Sequence, residues 1–298
     1  MVGMRKRVTV GGVINGFLLV LIAAVMLFPY LNVMATAFND GADAALGGIT
    51  IYPRVFTLEN FKVILKDSKV IRATMISVCS VVVGTLFGLF VQFTAAYAFS
   101  KKSFPGKKLI TVYLMIPMYI SGGLIPSFIL YSTLKMLNTF WMYVLPGMFN
   151  FYNMIMMRTY IKTIPDSLQE AAKIDGASEF TILWRIILPL SAPILATVSL
   201  WLAVGYWNDW TTPLYYIRST RLQNLQYLLM RVLKESEMMT RMLADAIVSG
   251  NLNNLKVTVT PEAVKAAQVV ITTIPIILIY PFLQKYFIKG VMIGAIKE

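Results

Sequence analysis

The 298-residue chain is 57% hydrophobic and only 14% charged, against about 25% charged residues in ordinary soluble domains, so a protein of several membrane spans is expected. Its net charge of +13 sits in short basic clusters between apolar runs, the distribution of a membrane protein with basic cytoplasmic loops rather than of a nucleic-acid binder. Histidine is absent and the single cysteine, Cys79, lies in an apolar run, which excludes His-based acid–base chemistry, His metal sites, CxxC redox chemistry and internal disulfides.

A bilayer-spanning helix takes about 20 mostly apolar residues. Six segments qualify, roughly 13–38, 71–99, 108–133, 139–161, 181–207 and 263–288, so the expected fold is all-α and integral to the membrane, a single transmembrane domain over 1–298. The first span follows Arg5-Lys6-Arg7 and contains Ala35-Thr36-Ala37, a small-x-small cleavage pattern. Its uncharged run outlasts the core of a signal peptide, so an uncleaved helix is expected. Gly84 and Gly88 in the second span form a GxxxG pair, which lets helix backbones approach closely; packing within the chain is its expected use. The loop after this span carries Lys101, Lys102, Lys107 and Lys108, and the loop after the fourth is flanked by Arg158, Lys162, Lys173 and Arg185, whereas the third-to-fourth connection has only Lys135. Basic even-numbered connections place both termini and the loop 165–180 on the cytoplasmic side, with 39–70 and 208–262 outside.

Pro117, Pro126, Pro146, Pro275 and Pro281 fall in or near spans, where proline frees carbonyls and kinks helices. Such kinks suit a protein that opens alternately to two sides and also occur in static bundles. No acidic residue lies between Asp67 and Asp166. Proton- and sodium-coupled transporters commonly use intramembrane carboxylates, so energy is expected from a partner.

The loop 165–180 has a local logic of its own. Ile164-Pro165 ends the fourth span, because a residue before proline avoids helical geometry. Ser167-x-x-Glu170 reads as a capping box, a helix of about two turns follows, and Gly176 adopts the left-handed conformation that closes it. Ala171 and Ala172 leave a flat, small surface, and Asp175 and Glu179 add carboxylates. On these grounds alone the loop either reverses the chain, with Glu170 as a cap, or docks a partner.

Residues 170–189 read EAAKIDGASEFTILWRIILP. They resemble, at every fixed position, the EAA loop (E-A-A-x-x-x-G-x9-I-x-L-P) of the membrane subunits of ABC importers. The resemblance implies that Glu170, Ala171, Ala172, Asp175, Gly176, Ile186, Leu188 and Pro189 couple the chain to a cytoplasmic ATPase. Glu170 would meet a basic group there, and Gly176 would hold the helix angle while rigid-body motion is transmitted. Ala95-Ala96-Tyr97-Ala98-Phe99-Ser100-Lys101 through Lys107 is similar to the segment after the second span of carbohydrate permeases, and Thr57-Leu58-Glu59-Asn60-Phe61 to their first outer loop. The ending from Gln284 to Lys297, with Gly290, Gly294 and Lys297, resembles the tail of MalG-type permeases, which reaches into the ATPase pair. The outer loop, with Leu225-Gln226-Tyr227-Leu228, is similar to permeases for oligosaccharides, alginate and other polysaccharide fragments included; in that family the region contacts the substrate-binding protein.

The resemblance thus implies the type I ABC importer permease fold: six transmembrane helices in the bacterial inner membrane, both termini cytoplasmic. The chain would be one of two permease subunits, joined by a second homologous permease, two ABC ATPase subunits and an extracytoplasmic sugar-binding protein, and bathed in lipid. No Walker motif is present, so the chain is not expected to be an enzyme or to bind a cofactor or metal; ATP and Mg belong to the ATPase. An ABC importer of a non-sugar solute, or a secondary transporter, stays open as an alternative. Sugars are held by aromatic faces and neutral polar groups in a cavity, and candidates for this path are Asn150, Tyr152, Asn153, Trp201, Tyr206, Trp207 and Asn208. The other account of these side chains is interhelical hydrogen bonding for the amides and interfacial anchoring for the aromatics. Gln92 has the same two readings.

Overall fold

A computed structural model describes residues 10–45, 47–235 and 262–278. Among them every regular element is helical; the sole strand-like feature is one antiparallel bridge, Asn39 to Phe56. The described residues fall into two compact units, 10–68 with 231–235 and 262–273, and 69–230 with 274–278.

The first unit opens with α1 (Val10–Ala37), 28 residues without a charge, about 42 Å long at 1.5 Å per residue and so ample for a bilayer of about 30 Å. Its residues 10–29 are all exposed, as expected of a helix whose neighbour is lipid. The loop that follows, carrying α2 (Gly41–Ala45) and leading to α3 (Glu59–Lys66), is tied back to the end of α1. Buried Asn60 donates to the carbonyls of Ala37 (3.0 Å) and Asn39 (2.8 Å), while buried Asn39 accepts from the Val55 amide (2.8 Å). Phe38 packs between Phe56 and Phe61 at 5.7 and 4.8 Å. The Thr57-to-Phe61 signature is therefore a staple: an amide satisfies the last carbonyl of the helix and one just beyond it, and an aromatic covers them.

The second unit is built on α4 (Ser68–Ser100), 33 residues. Ala73, Ser77, Ser80, Gly84, Gly88, Gln92 and Ala96 are buried along it, spaced three to four residues apart and so on one face. A Cβ added at Gly84 would lie 2.5 Å from the Tyr206 ring, and one at Gly88 3.1 Å from Leu202. The GxxxG pair thus packs within the chain, seating the two side chains of α12 described below.

Beyond α4, apolar composition and helix continuity part company. The expected span at 108–133 is α5 (Lys107–Tyr119) and α6 (Leu124–Thr133), bent by 117°; Gly123, with φ +85°, makes the turn that L side chains disfavour. The expected span at 139–161 is not a continuous helix. It comprises a single turn, α7 (Trp141–Val144), and α8 (Phe151–Ile161), 11 residues, which is only about 16 Å. Pro146 lacks an amide donor, Gly147 is a poor helix former, and the Asn150 side chain accepts from the Asn153 amide (3.1 Å) to start α8 afresh.

After the loop helix α9 (Asp166–Ile174), the expected span at 181–207 is likewise broken. It runs through α10 (Glu179–Ile182), a π-turn at Leu183–Ile187 and α11 (Leu188–Leu190), then bends by 81° at Ser191 into α12 (Ala192–Trp207). Pro193 cannot donate to the Pro189 carbonyl four residues back, which explains the bend. A short helix, α13 (Thr211–Tyr216), follows. The core unites Phe93, Met154, Met157, Ile161, Ile182, Ile187 and Val198 from α4, α8, α10, the π-turn and α12. The helix at 262–278 covers part of the expected sixth span; 279–288 lies outside the described residues.

Because the Gly84 contact has no free space, Gly84→Ala should destabilise the protein by about 1–3 kcal/mol, read as a lowered Tm in detergent. Gly16→Ala, where an added Cβ meets nothing within 4 Å, should leave the Tm unchanged or raise it.

Candidate coupling surface and translocation cavity

The loop helix α9 begins after Pro165, whose φ of −56° and ψ of 130° mark the N-cap, with no side-chain cap bond. The expected capping box does not form: proline starts the helix at Asp166, so Ser167 is already within the first turn, and the Leu168 amide bonds to the Pro165 carbonyl (3.2 Å). Closure at the other end follows expectation. Gly176 has φ +78°; its amide bonds to the Lys173 carbonyl (3.0 Å) and that of Ala177 to the Ala172 carbonyl (2.9 Å), the paired bonds of a Schellman motif.

Glu170, Ala171, Asp175 and Gly176 are exposed, and Ala172 is half-buried against the core. Ile186 and Leu188 pack partly against the same core, and Pro189 is exposed. Sequence reasoning missed the apolar side chains on this surface: Ile174 is 87% exposed, and Leu168 and Phe180 are exposed beside it. Large apolar groups presented among carboxylates mark a surface made to be covered. The signal for them was present as apolar residues in a polar loop, but periodicity alone does not tell a face that packs inward from one that packs on a partner.

A cluster of ions clamps α9 to the end of α4. Glu179 accepts from Lys173 (2.6 Å), from the Tyr97 hydroxyl (2.5 Å) and from Lys101 (2.9 Å). Lys101 also donates to Gln169 (2.7 Å) and lies 4.3 Å over the Tyr97 ring, and Lys102 pairs with Asp166 (3.2 Å). The A-A-Y-A-F-S-K-K segment and the EAA loop are therefore one assembly, with a cleft of about 450 Å³ between them. The bonds from Lys173, Tyr97 and Lys101 hold the Glu179 carboxyl at about 2, well below the usual 4.5. Since the folded value is depressed, the stabilisation is complete above about pH 4.5 and is lost as pH falls toward 2.

A second concavity, of about 560 Å³, lies between α7, the break before α8, α12 and α13. Of the residues expected along a sugar path, Asn150, Asn153, Trp201, Tyr206 and Asn208 line it. Tyr152 does not: it is exposed, its ring 6.2 Å from Trp201. Trp207 faces a separate apolar hollow with Thr74, Val78 and Pro275. Asn153 is 8% exposed, and its backbone amide donates to Asn150 Oδ1 (3.1 Å). Gln92 lies behind the wall, donating to the Met148 carbonyl (3.0 Å), which favours its packing reading. Asp209, Thr211 and Thr212 also line the cavity and were not anticipated; Asp209-x-Thr, directly after an apolar helix, is the cap signal that marked them. Gly290, Gly294 and Lys297 lie outside the described residues.

Residues 84–293 match the family described as "Binding-protein-dependent transport system inner membrane component". The chain belongs to this family. Among its relatives is protein LplC of Bacillus subtilis, 37% identical over 277 residues, covering 93% of this chain and 91% of the relative. The polygalacturonan/rhamnogalacturonan transport system permease protein YtcP of the same organism is 32% identical over 286 residues, 95% of this chain and 96% of the relative. A chain from the crystal structure of a bacterial ABC transporter that imports the acidic polysaccharide alginate superposes with a TM-score of 0.81 at 27% identity, covering 96% of this chain and 99% of that one. The binding-protein-dependent family and the all-helical fold with apolar, membrane-length helices agree in making this chain an inner-membrane transport component.

Glu179→Gln should loosen the clamp without unfolding the core. Hydrogen exchange of the α9 amides at pH 7 is expected to rise at least several-fold, with the helix content by circular dichroism unchanged.

Proposed function

We propose that this chain is one of two permease subunits of an ABC importer for oligosaccharides, forming half of the translocation path. The observation that carries this reading is α9: a short helix with exposed Glu170, Ala171 and Ile174, closed by Gly176 and clamped by Glu179 to the end of a 33-residue helix. That is a rigid handle for a partner. The carbohydrate cargo is supported by the relatives named for polygalacturonan and alginate transport and by the cavity lined with Trp201 and carboxamides.

In this reading six membrane crossings, some broken, leave both termini and α9 in the cytoplasm, and 208–262 faces an extracytoplasmic sugar-binding protein. Glu170, Ala171, Asp175 and Gly176 form the exposed face that enters an ATPase cleft, with Pro189 exposed at the end of the motif, while Ala172, Ile186 and Leu188 anchor it to the core. The tail, with Gly290, Gly294 and Lys297, reaches the ATPase pair. The chain itself does no covalent chemistry and holds no cofactor; two partner ATPases bind ATP and Mg. Their closure moves α9, α4 carries the motion to α12, and the cavity is opened to one side or the other. A second, homologous permease supplies the facing wall.

In the complete importer, Glu170→Arg should reduce sugar-stimulated ATP hydrolysis below a tenth of wild type with an unchanged Tm. Full stimulation would remove Glu170 from the coupling role. Gly205 lines the cavity, and a Cβ there meets nothing within 4 Å; Gly205→Leu should block uptake in proteoliposomes while the assembled complex is recovered intact.

A further inference from the structure

The importer reading leaves the charge of the cargo open, and the cavity speaks to it. Among the described residues that line it, one is acidic, Asp209, and none is basic. Asp209 Oδ1 accepts from the Thr211 amide (3.2 Å), the Thr211 hydroxyl (3.0 Å) and the Thr212 amide (2.9 Å), while Oδ2 has no partner among the described residues. The tyrosine hydroxyls nearby are turned to the protein: Tyr143 donates to the Leu222 carbonyl (2.8 Å) and Tyr206 to that of Val144 (3.4 Å).

The groups turned to a ligand include a carboxylate oxygen, the carboxamides of Asn153 and Asn208 and the amide nitrogen of Asn150. Asn150 uses its oxygen to cap α8. Carboxamides on a cavity wall offer both a donor and an acceptor to a ligand. Vicinal hydroxyls both donate and accept and match this set, with Trp201 as an apolar face.

We infer that this cavity takes uncharged oligosaccharides and turns away uronate-bearing ones, an inference that rests on the importer reading above. A uronate would bring a carboxylate near Asp209 with no Lys or Arg of this wall to receive it. Like-charge repulsion in surroundings less polarisable than water then works against it, and no charge-assisted pair offsets the loss of hydration. The chain would thus differ in cargo from the alginate and polygalacturonan systems it resembles.

The test is equilibrium binding to the complete permease–ATPase complex in nanodiscs without the binding protein, so that only the membrane site selects. Radiolabelled arabinotriose, maltotriose and galactotriose are compared with trigalacturonate and trimannuronate, counting only binding abolished by Gly205→Leu. At least one neutral trisaccharide should bind, with each uronate at least tenfold weaker. Asp209→Asn, whose amide oxygen still accepts from Thr211 and Thr212, should narrow that gap about tenfold. Uronates binding as tightly as the neutral sugars, or a gap unmoved by Asp209→Asn, would overturn the selectivity and leave the sugar site standing. Binding of neither class at the Gly205-sensitive site would overturn the importer reading together with this inference.

Discussion

Three glycines without side chains let the rest of the protein be where it is. At Gly84 and Gly147 the Tyr206 ring occupies the volume a Cβ would need, and Leu202 does the same at Gly88. Dispersion between closely approaching surfaces, rather than the hydrophobic effect, holds helices together in lipid, and it depends on this loss of bulk. Because Tyr206 and Leu202 also line the cavity, the contact that fixes the helix pair is the one that shapes the cavity wall.

The same helix, α4, ends in the ion cluster that holds α9. Tyr97 and Lys101 are 13 and 17 residues beyond Gly84, about 20–25 Å along the axis. A helix without an internal proline or other break transmits a displacement over that length with little loss. The clamp is polar, multiply bonded and partly exposed, so its individual pairs are worth little; its value is geometric, since Glu179 has to satisfy Lys173, Lys101 and Tyr97 together. The α9 clamp and the cavity wall thus sit along one continuous helix.

Much of this was legible in the residues. The EAA spacing located the exposed helix, Gly176 announced its left-handed closure, and the Gly84–Gly88 pair announced close packing inside the chain. Asn150, Asn153, Trp201, Tyr206 and Asn208 do converge on one cavity. The breaks at 120–123, 145–150 and 191 were not legible as breaks, since hydropathy sums over a window and is indifferent to whether the apolar residues form one helix or two. Pro146-Gly147 and the Pro189/Pro193 pair carried that information, but prolines bend some membrane helices and interrupt others, and neighbouring packing decides which. Ser167 failed as a cap for a local reason: Pro165 had already set the first turn. Trp207 left the path because one step along α12 rotates a side chain by about 100°, away from the cavity that Tyr206 faces.

The π-turn at Leu183–Ile187 bears on how the EAA spacing is to be counted. Such a turn closes its hydrogen bonds over five residues where an α-helix uses four. The nine positions between Gly176 and Ile186 therefore include one that regular winding would not require. Removing one residue there would let the segment relax to an ordinary helix and keep Leu188 and Pro189 in phase with the core. In evolutionary terms, an eight-residue spacing would be the same device with its slack taken up, and a motif scan with rigid spacing would pass it by.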